Sequence, residues 1–319
     1  MWRPHERDFT ANFNLFLTFG GSINHVAMEW IHKILDFLHL LAITTLYQLL
    51  SLLGLLFVVG LILYFLARFT RNAFAAASAR KLDVFVTGWI GTPVHELSHA
   101  LFCLVFGHRI TDIKLFRPNS SDGSLGYVKH TYNSKNIYHR IGNLFIGAGP
   151  VILGALALYG LIHLLLPNTA SLGIIKTANG LQVTHVKDLG MHWQSILSTA
   201  QTMLEQLFRA ENFSQVSFWI FLYISASIAS HMELSPADLK GMMKGLLSLT
   251  LLLLVLNTIA LLMKQDISTY IFIAGSYFGL FFGIYLYATL ISLLNFTASF
   301  VLLSAYSWIR FHRFINPFQ

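Results

Sequence analysis

The sequence predicts an all-α polytopic membrane protein with six or seven transmembrane helices and a small β-hairpin. Hydrophobic residues make up 55% of the 319-residue chain and charged residues only 11%, a charged share well below that of an ordinary soluble domain. Several apolar runs are also long enough to cross the hydrocarbon core of a bilayer, which takes roughly 20 helical residues. The net charge of +7 comes from Lys and Arg residues scattered between these runs. That distribution indicates membrane orientation rather than nucleic-acid binding.

The apolar runs define the expected spans. Residues 40–67 form the clearest one. The last run is too long for one simple crossing, so it is either one tilted helix or two helices joined by a turn. This ambiguity leaves the count at six or seven. The further runs are residues 84–106, 141–166, 216–239, 243–263 and 267–308.

Two polar connections have patterns of their own. Residues 108–116 and 124–132 are rich in β-forming residues and flank the turn sequence Ser121-Asp122-Gly123, which predicts a short hairpin after the second span. In the long connection 167–215, apolar residues recur at helical spacing from Trp193 to Phe208. This pattern predicts an amphipathic helix, lying either at the membrane interface or on the protein's own loops.

The segments group into three regions along the chain. We expect an N-terminal segment with the first transmembrane helix (1–83), a central core (84–241) and C-terminal transmembrane helices (242–319). For six spans, the Lys and Arg residues favour an N-terminus on the inner side. The protein is expected to be embedded in the lipid bilayer of a bacterial cytoplasmic membrane.

The second apolar run contains the motif His95-Glu96-Leu97-Ser98-His99. Residues four apart lie on the same face of a helix, so His95 and His99 can present two imidazole nitrogens to one ion. Glu96 projects about 100° away, where it can hold a water beside the ion without binding the ion itself. Ionisable groups at bilayer depth are costly unless paired or ligated, which favours a functional site. The alternative is a hydrogen-bonded polar cluster that only fixes helix packing.

This motif predicts metal-assisted hydrolysis of peptide bonds. The expected cofactor is Zn²⁺, which would acidify a water and polarise the scissile carbonyl. Glu96 would take up the proton and pass it to the leaving amine. The single cysteine, Cys103, excludes a multi-cysteine zinc site. The ligands are therefore expected to be histidines and carboxylates.

From Gly91 onward the chain resembles the site-2 protease family of intramembrane metalloproteases. Residues 95–116 (HELSHALFCLVFGHRITDIKLF) are similar to the family's HExxH helix, which is followed by a glycine and a strand beside the active site. Residues 146–150 (IGAGP) are similar to the Ala-Gly-Pro element of the next span. Residues 234–238 (LSPAD) are similar to the Pro-x-Asp-Gly motif that supplies the third zinc ligand. The likeness covers residues 91–241, with Leu239 and Lys240 where the family usually has two glycines.

A catalytic zinc site usually has three protein ligands and an open fourth position. The resemblance implies that Asp238 is the third ligand, beside His95 and His99. His231 and Glu233 are competing third ligands. Asp238 would otherwise serve as a helix cap or as a partner of Lys240. A different class of HExxH metalloprotease would take its third ligand from Glu205, Glu211 or Glu233.

We therefore expect an intramembrane zinc endopeptidase that cleaves membrane-spanning or membrane-adjacent proteins or peptides. The resemblance implies that the hairpin aligns unwound substrate by strand addition. The alternative is a non-proteolytic membrane protein that binds or transports a metal. Gly149-Pro150 predicts a kink or a close helix contact. Several histidines have no partner at ligand spacing and are expected in interfacial or loop roles: His32, His39, His130, His139, His185 and His192.

Overall fold

The computed structural model describes residues 7–120, 123–166, 193–263 and 278–317, and most of them are helical. Two short segments, Leu50–Gly54 and Val84–Gly88, are π-helical. The first connects the α-helix that ends at Leu49 to the one that begins at Leu55, and the second connects the α-helix that ends at Asp83 to the one that begins at Trp89. The helices of the described ranges are α1 (Arg7–Leu49), α2 (Leu55–Ala76), α3 (Arg80–Asp83), α4 (Trp89–Val105), α5 (Ile137–Leu165), α6 (Trp193–Leu207), α7 (Ala210–Phe213), α8 (Val216–Ala229), α9 (Pro236–Leu262) and α10 (Phe278–Phe311).

Among the described residues, four helical stretches are long and apolar enough to cross a membrane. They are Met28–Ala76, Ile137–Leu165, Pro236–Leu262 and Phe282–Phe311. These stretches overlap the predicted spans at 40–67, 141–166, 243–263 and 267–308, so the membrane class is supported. The predicted span at 84–106 corresponds to α4 and the π-helical segment before it. Residues 264–277, which begin the last predicted run, lie outside the described residues. The total number of spans stays a prediction.

The predicted span at 216–239 is not one helix. Helix α8 ends at Ala229, and α9 begins at Pro236 after a six-residue break. Proline disfavours a helical conformation in the residue before it and is well suited to the first turn of a new helix. Asp238 consequently lies in the first turn of α9 rather than at the end of an apolar helix.

The described chain forms two compact units. The first comprises Met1–Gln48 and Leu253–Ile267, and the second comprises Leu49–Leu252 and Ser268–Gln319. Within the first unit, the Asn257 amide donates to Thr45 Oγ1 at 2.9 Å and to Gln48 Oε1 at 2.8 Å. Polar side chains of this kind connect neighbouring helices where apolar surroundings offer no other partner.

Helix α5 lies at the centre of the second unit and packs against α2, α4, α8 and α10. The side chains of Leu144, Ala148, Val151 and Leu158 are fully buried there. The amphipathic helix predicted from residue 193 onward is α6. Met203 and Leu207 on its apolar face belong to the same core, so this face packs on the protein interior.

The described residues include a small two-stranded antiparallel sheet. Strand β1 (Arg109–Lys114) pairs with β2 (Tyr127–Thr131), and the register shifts between Ile110 and Asp112. The Tyr127 hydroxyl donates to Asp112 Oδ2 at 2.7 Å across the strands. This hydrogen bond lowers the pKa of the Asp112 carboxyl. The turn residues Ser121 and Asp122 lie outside the described residues.

Candidate metal centre

The two motif histidines face each other on α4. The Nε2 atoms of His95 and His99 are 3.1 Å apart, and the ring centroids are 4.8 Å apart. The spacing of four residues produces this arrangement, because it places both side chains on one face of the helix. His99 is buried, and His95 is half-buried.

Asp238 approaches the pair from the start of α9. Its Oδ1 lies 3.4 Å from His99 Nε2, and its Oδ2 lies 3.9 Å from His95 Nε2. One candidate ligand atom from each of the three residues falls within 4.8 Å of the others. Two imidazole nitrogens and one carboxylate oxygen form a donor set that zinc accepts, with room for a fourth ligand. The residues of this group can therefore hold a metal ion.

The His99 ring is oriented by a main-chain carbonyl of α5. Its Nδ1–H donates to the Ile146 carbonyl at 2.7 Å. In a regular helix that carbonyl would accept from the N–H four residues later, which is position 150. Pro150 has no N–H, so the Ile146 carbonyl is free to accept from His99. The proline that predicts a kink thus has a direct consequence at the metal centre.

A second carbonyl orients His95. Its Nδ1–H donates to the His231 carbonyl at 2.6 Å. This carbonyl belongs to the break between α8 and α9, where no helical hydrogen bond competes for it. With both Nδ1 atoms donating, neutral histidines have their Nε2 lone pairs available. Metal-binding histidines commonly show this arrangement, because the outer hydrogen bond fixes the tautomer and the ring plane.

Asp238 is also held by a local motif. The Ser235 N–H donates to Asp238 Oδ2 at 2.8 Å, and the Asp238 N–H donates to Ser235 Oγ at 3.2 Å. This reciprocal pair is a capping box at the start of α9. Helix capping by Asp238 was the predicted alternative to metal binding. The two roles are compatible, because Oδ2 accepts the capping hydrogen bond while Oδ1 remains directed at His99.

Glycines bring the helices close enough for these contacts. A Cβ on Gly149 would lie 3.1 Å from the Ser98 carbonyl of α4, and a Cβ on Gly147 would lie 2.6 Å from the Asp238 carbonyl. A larger residue at either position would push α5 away from its neighbours. The close contact predicted for Gly149-Pro150 is present.

Glu96 is buried, with only 6% of its surface exposed. The hairpin closes over it at Gly126, where an added Cβ would lie 2.7 Å from Glu96 Cγ. Leu125 and Phe116, at the same end of the hairpin, reach towards Gly88 before α4. The hairpin therefore lies beside the motif.

The competing third ligands have other contacts. The Glu233 carboxylate forms a two-pronged ion pair with the Arg71 guanidinium. The His231 ring nitrogen Nδ1 lies 3.1 Å from the Ser227 carbonyl and 3.0 Å from Ser230 Oγ. Glu205 accepts from Gln201 on α6, and Glu211 is exposed on α7. Among the carboxylates of the described residues, the geometry favours Asp238.

A second group of candidate ligands was missed by the sequence reasoning. Cys103, His108 and His130 also have candidate ligand atoms within 4.8 Å of one another. His130 and His139, treated as isolated, both lie near His108: His130 Nδ1 is 2.9 Å from His108 Nδ1, and the His139 carbonyl is 2.8 Å from His108 Nε2. Burial lowers the pKa of both His108 and His130 and so favours their neutral forms. His185 and His192 lie outside the described residues.

A comparison with protein families, curated proteins and solved structures finds no significant match to this chain.

Proposed function

We propose that this protein is an intramembrane zinc endopeptidase that hydrolyses peptide bonds of membrane-spanning or membrane-adjacent substrates. One observation carries the proposal: two oriented imidazoles and a capped carboxylate converge next to a buried glutamate. A purely structural polar cluster would need neither two converging Nε2 lone pairs nor a carboxylate directed at them. A cation bound between these groups offsets the repulsion among the three acceptors.

Different residues of the site would bind the metal, orient the ligands and transfer the proton. His95, His99 and Asp238 would hold the zinc, and the Ile146 and His231 carbonyls keep the two rings in the binding orientation. A zinc ion held by these residues would supply Lewis acidity, which would lower the pKa of water and polarise the substrate carbonyl. Glu96 acts as general base: it takes a proton from the attacking water and delivers it to the leaving amine.

The position of the motif in an apolar helix supports a substrate that lies in or next to the membrane. The motif lies in an apolar helix, and the described part of the chain contains four helices long and apolar enough to span a bilayer. Within the described residues the hairpin beside Glu96 has two strands, so an extended peptide could add to an outer edge of this sheet by main-chain hydrogen bonds. A helical substrate must unwind before it can bind in this way.

The test compares membranes of cells that produce the wild-type protein or the Glu96→Gln variant. We expect a proteolytic fragment that appears with the wild type and disappears with Glu96→Gln, although the variant still binds zinc. The matched control is Glu211→Gln, because Glu211 is exposed on α7 and takes no part in the proposed chemistry.

Equal fragment patterns for the wild type and Glu96→Gln would contradict the peptidase proposal. If both proteins still bound zinc in that case, the result would favour the alternative, a membrane protein that binds or transports a metal. Metal binding alone does not need a general base.

A further inference from the structure

Helix α4 presents a third possible ligand on the face that bears the motif histidines. Cys103 follows His99 by four residues and His95 by eight, so all three lie along one stripe of the helix. Four residues correspond to about 6 Å along the axis. The Cys103 side chain is fully buried.

The end of α4 brings His108 next to Cys103. The Gly107 N–H donates to the Leu104 carbonyl at 3.2 Å, and the His108 N–H donates to the Cys103 carbonyl at 2.8 Å. Gly107 has a φ of +68°. These features define a Schellman motif, in which glycine reverses the chain after the last helical turn. The reversal is fixed by the local sequence, and it folds His108 back over the end of the helix.

The His108 ring is held in one orientation. Its Nε2–H donates to the His139 carbonyl at 2.8 Å, and Tyr132 stacks on the ring with centroids 4.7 Å apart. The Nδ1 of a neutral His108 therefore carries a lone pair. His130 Nδ1 on strand β2 lies 2.9 Å from it, within hydrogen-bond distance, and a metal ion bound by both nitrogens would replace that hydrogen bond.

We propose that Cys103, His108 and His130 form a second metal site, which binds one thiophilic cation of the zinc class and fastens the hairpin to α4. A thiolate and two imidazoles are ligands that zinc takes in tetrahedral sites, where ligand atoms stand roughly 3.3–3.8 Å apart. The two Nδ1 atoms need to separate by only a few tenths of an ångström to reach this range. The outer hydrogen bond from His108 to the His139 carbonyl is the kind that stabilises a metal-bound imidazole.

The site is distinct from the peptidase centre in its ligands and its role. It contains sulfur, whereas the His95, His99 and Asp238 group does not. Its histidines come from the loop after α4 and from β2, so metal binding would fix the strand pair whose far end covers Glu96.

The experiment uses the full-length protein in detergent, freed of metal and then titrated with Co²⁺. Because Cys103 is the only cysteine in the chain, any thiolate-to-cobalt charge-transfer absorption in the near ultraviolet reports this site alone. We expect the band in the wild type, its loss in Cys103→Ser and in His130→Gln, and its retention in His163→Gln, an exposed histidine of α5 that serves as control.

Zinc content supplies a second measurement. The wild type should hold about two zinc ions per chain, and Cys103→Ser and Asp238→Asn should each hold about one. The absence of the charge-transfer band in cobalt-loaded wild type would overturn the proposal, as would a band unchanged by His130→Gln. Failure of the peptidase proposal gives a different result: the band persists while no fragment depends on Glu96.

Discussion

At the level of single residues, main-chain carbonyls orient the two histidines that we propose as metal ligands. The carbonyls of Ile146 and His231 accept from His99 and His95 because neither carbonyl has a helical partner. In one case proline removes that partner, and in the other the helix has ended. The chain thus uses two interruptions of helical hydrogen bonding to fix two imidazoles.

The choice of third ligand can be tested with a matched pair of variants. Asp238→Asn should lower zinc affinity at the motif by more than about 100-fold, since it removes a direct ligand. Glu233→Gln should leave the affinity unchanged, because that carboxylate is engaged with Arg71. Equilibrium zinc titration with a chelating indicator measures both. A loss of affinity in Glu233→Gln alone would reverse the assignment.

Pro150→Ala tests the orienting carbonyl. The new N–H at position 150 offers the Ile146 carbonyl a helical partner, which competes with His99. We expect zinc affinity at the motif to fall by about tenfold, a typical cost of losing an outer hydrogen bond to a ligand, while the helix itself becomes no less stable. Leu164→Ala, at an exposed position of α5, is the control. Unchanged affinity in Pro150→Ala would show that the carbonyl contact does not matter.

At the level of secondary-structure elements, the hairpin and the ends of two helices position the candidate site residues. The capping box that starts α9 holds Asp238, and the Schellman motif that ends α4 positions His108. Both motifs are local, so their geometry is fixed by a few neighbouring residues. The hairpin adds the contact between Gly126 and Glu96.

The fit of the hairpin over Glu96 leads to a prediction for Gly126→Val. The added side chain would collide with Glu96 Cγ and with the Leu115 carbonyl, which lies 3.0 Å from the added Cβ. We expect cleavage to slow by about 100-fold, because a small displacement of a catalytic group has such an effect, whereas zinc stays bound. The rate of fragment formation measures this. Gly160→Ala, where an added Cβ meets nothing within 4 Å, should cleave normally; equal rates for both variants would contradict the contact.

The polar contact between α1 and α9 leads to a prediction about stability. Asn257→Leu removes the donor to the buried Thr45 Oγ1 and to the half-buried Gln48 Oε1. We expect the free energy of unfolding in detergent to fall by about 1 kcal/mol. Thr258→Val is the control, because the Thr258 hydroxyl bonds only its own helix at Leu254. No difference between the two variants in thermal unfolding would argue against the contact.

At the scale of the whole molecule, apolar composition and apolar run lengths predicted the helical membrane class. The motif spacing predicted the pairing of His95 with His99, since helix geometry alone determines it. Asp238 was predicted as the third ligand only through the family resemblance, because the packing of distant helices determines which carboxylate lies beside His95 and His99. The partners of His130 were missed for a similar reason: strand register brings it to His108, 22 residues away. Two features of the local sequence could have indicated these contacts. Gly107 marks the chain reversal that positions His108, and Pro150 leaves the Ile146 carbonyl, four residues earlier, without a helical hydrogen bond.

The most direct measurement is a map of anomalous scattering at the zinc absorption edge from crystals of the full-length protein. The account predicts a peak about 2 Å from Nε2 of His95, from Nε2 of His99 and from the nearer Asp238 oxygen. It further predicts that Glu96 lies beside the peak without ligating it. Zinc-loaded crystals with no peak between these three side chains, or with a peak that Glu96 ligates directly in place of Asp238, would contradict the account.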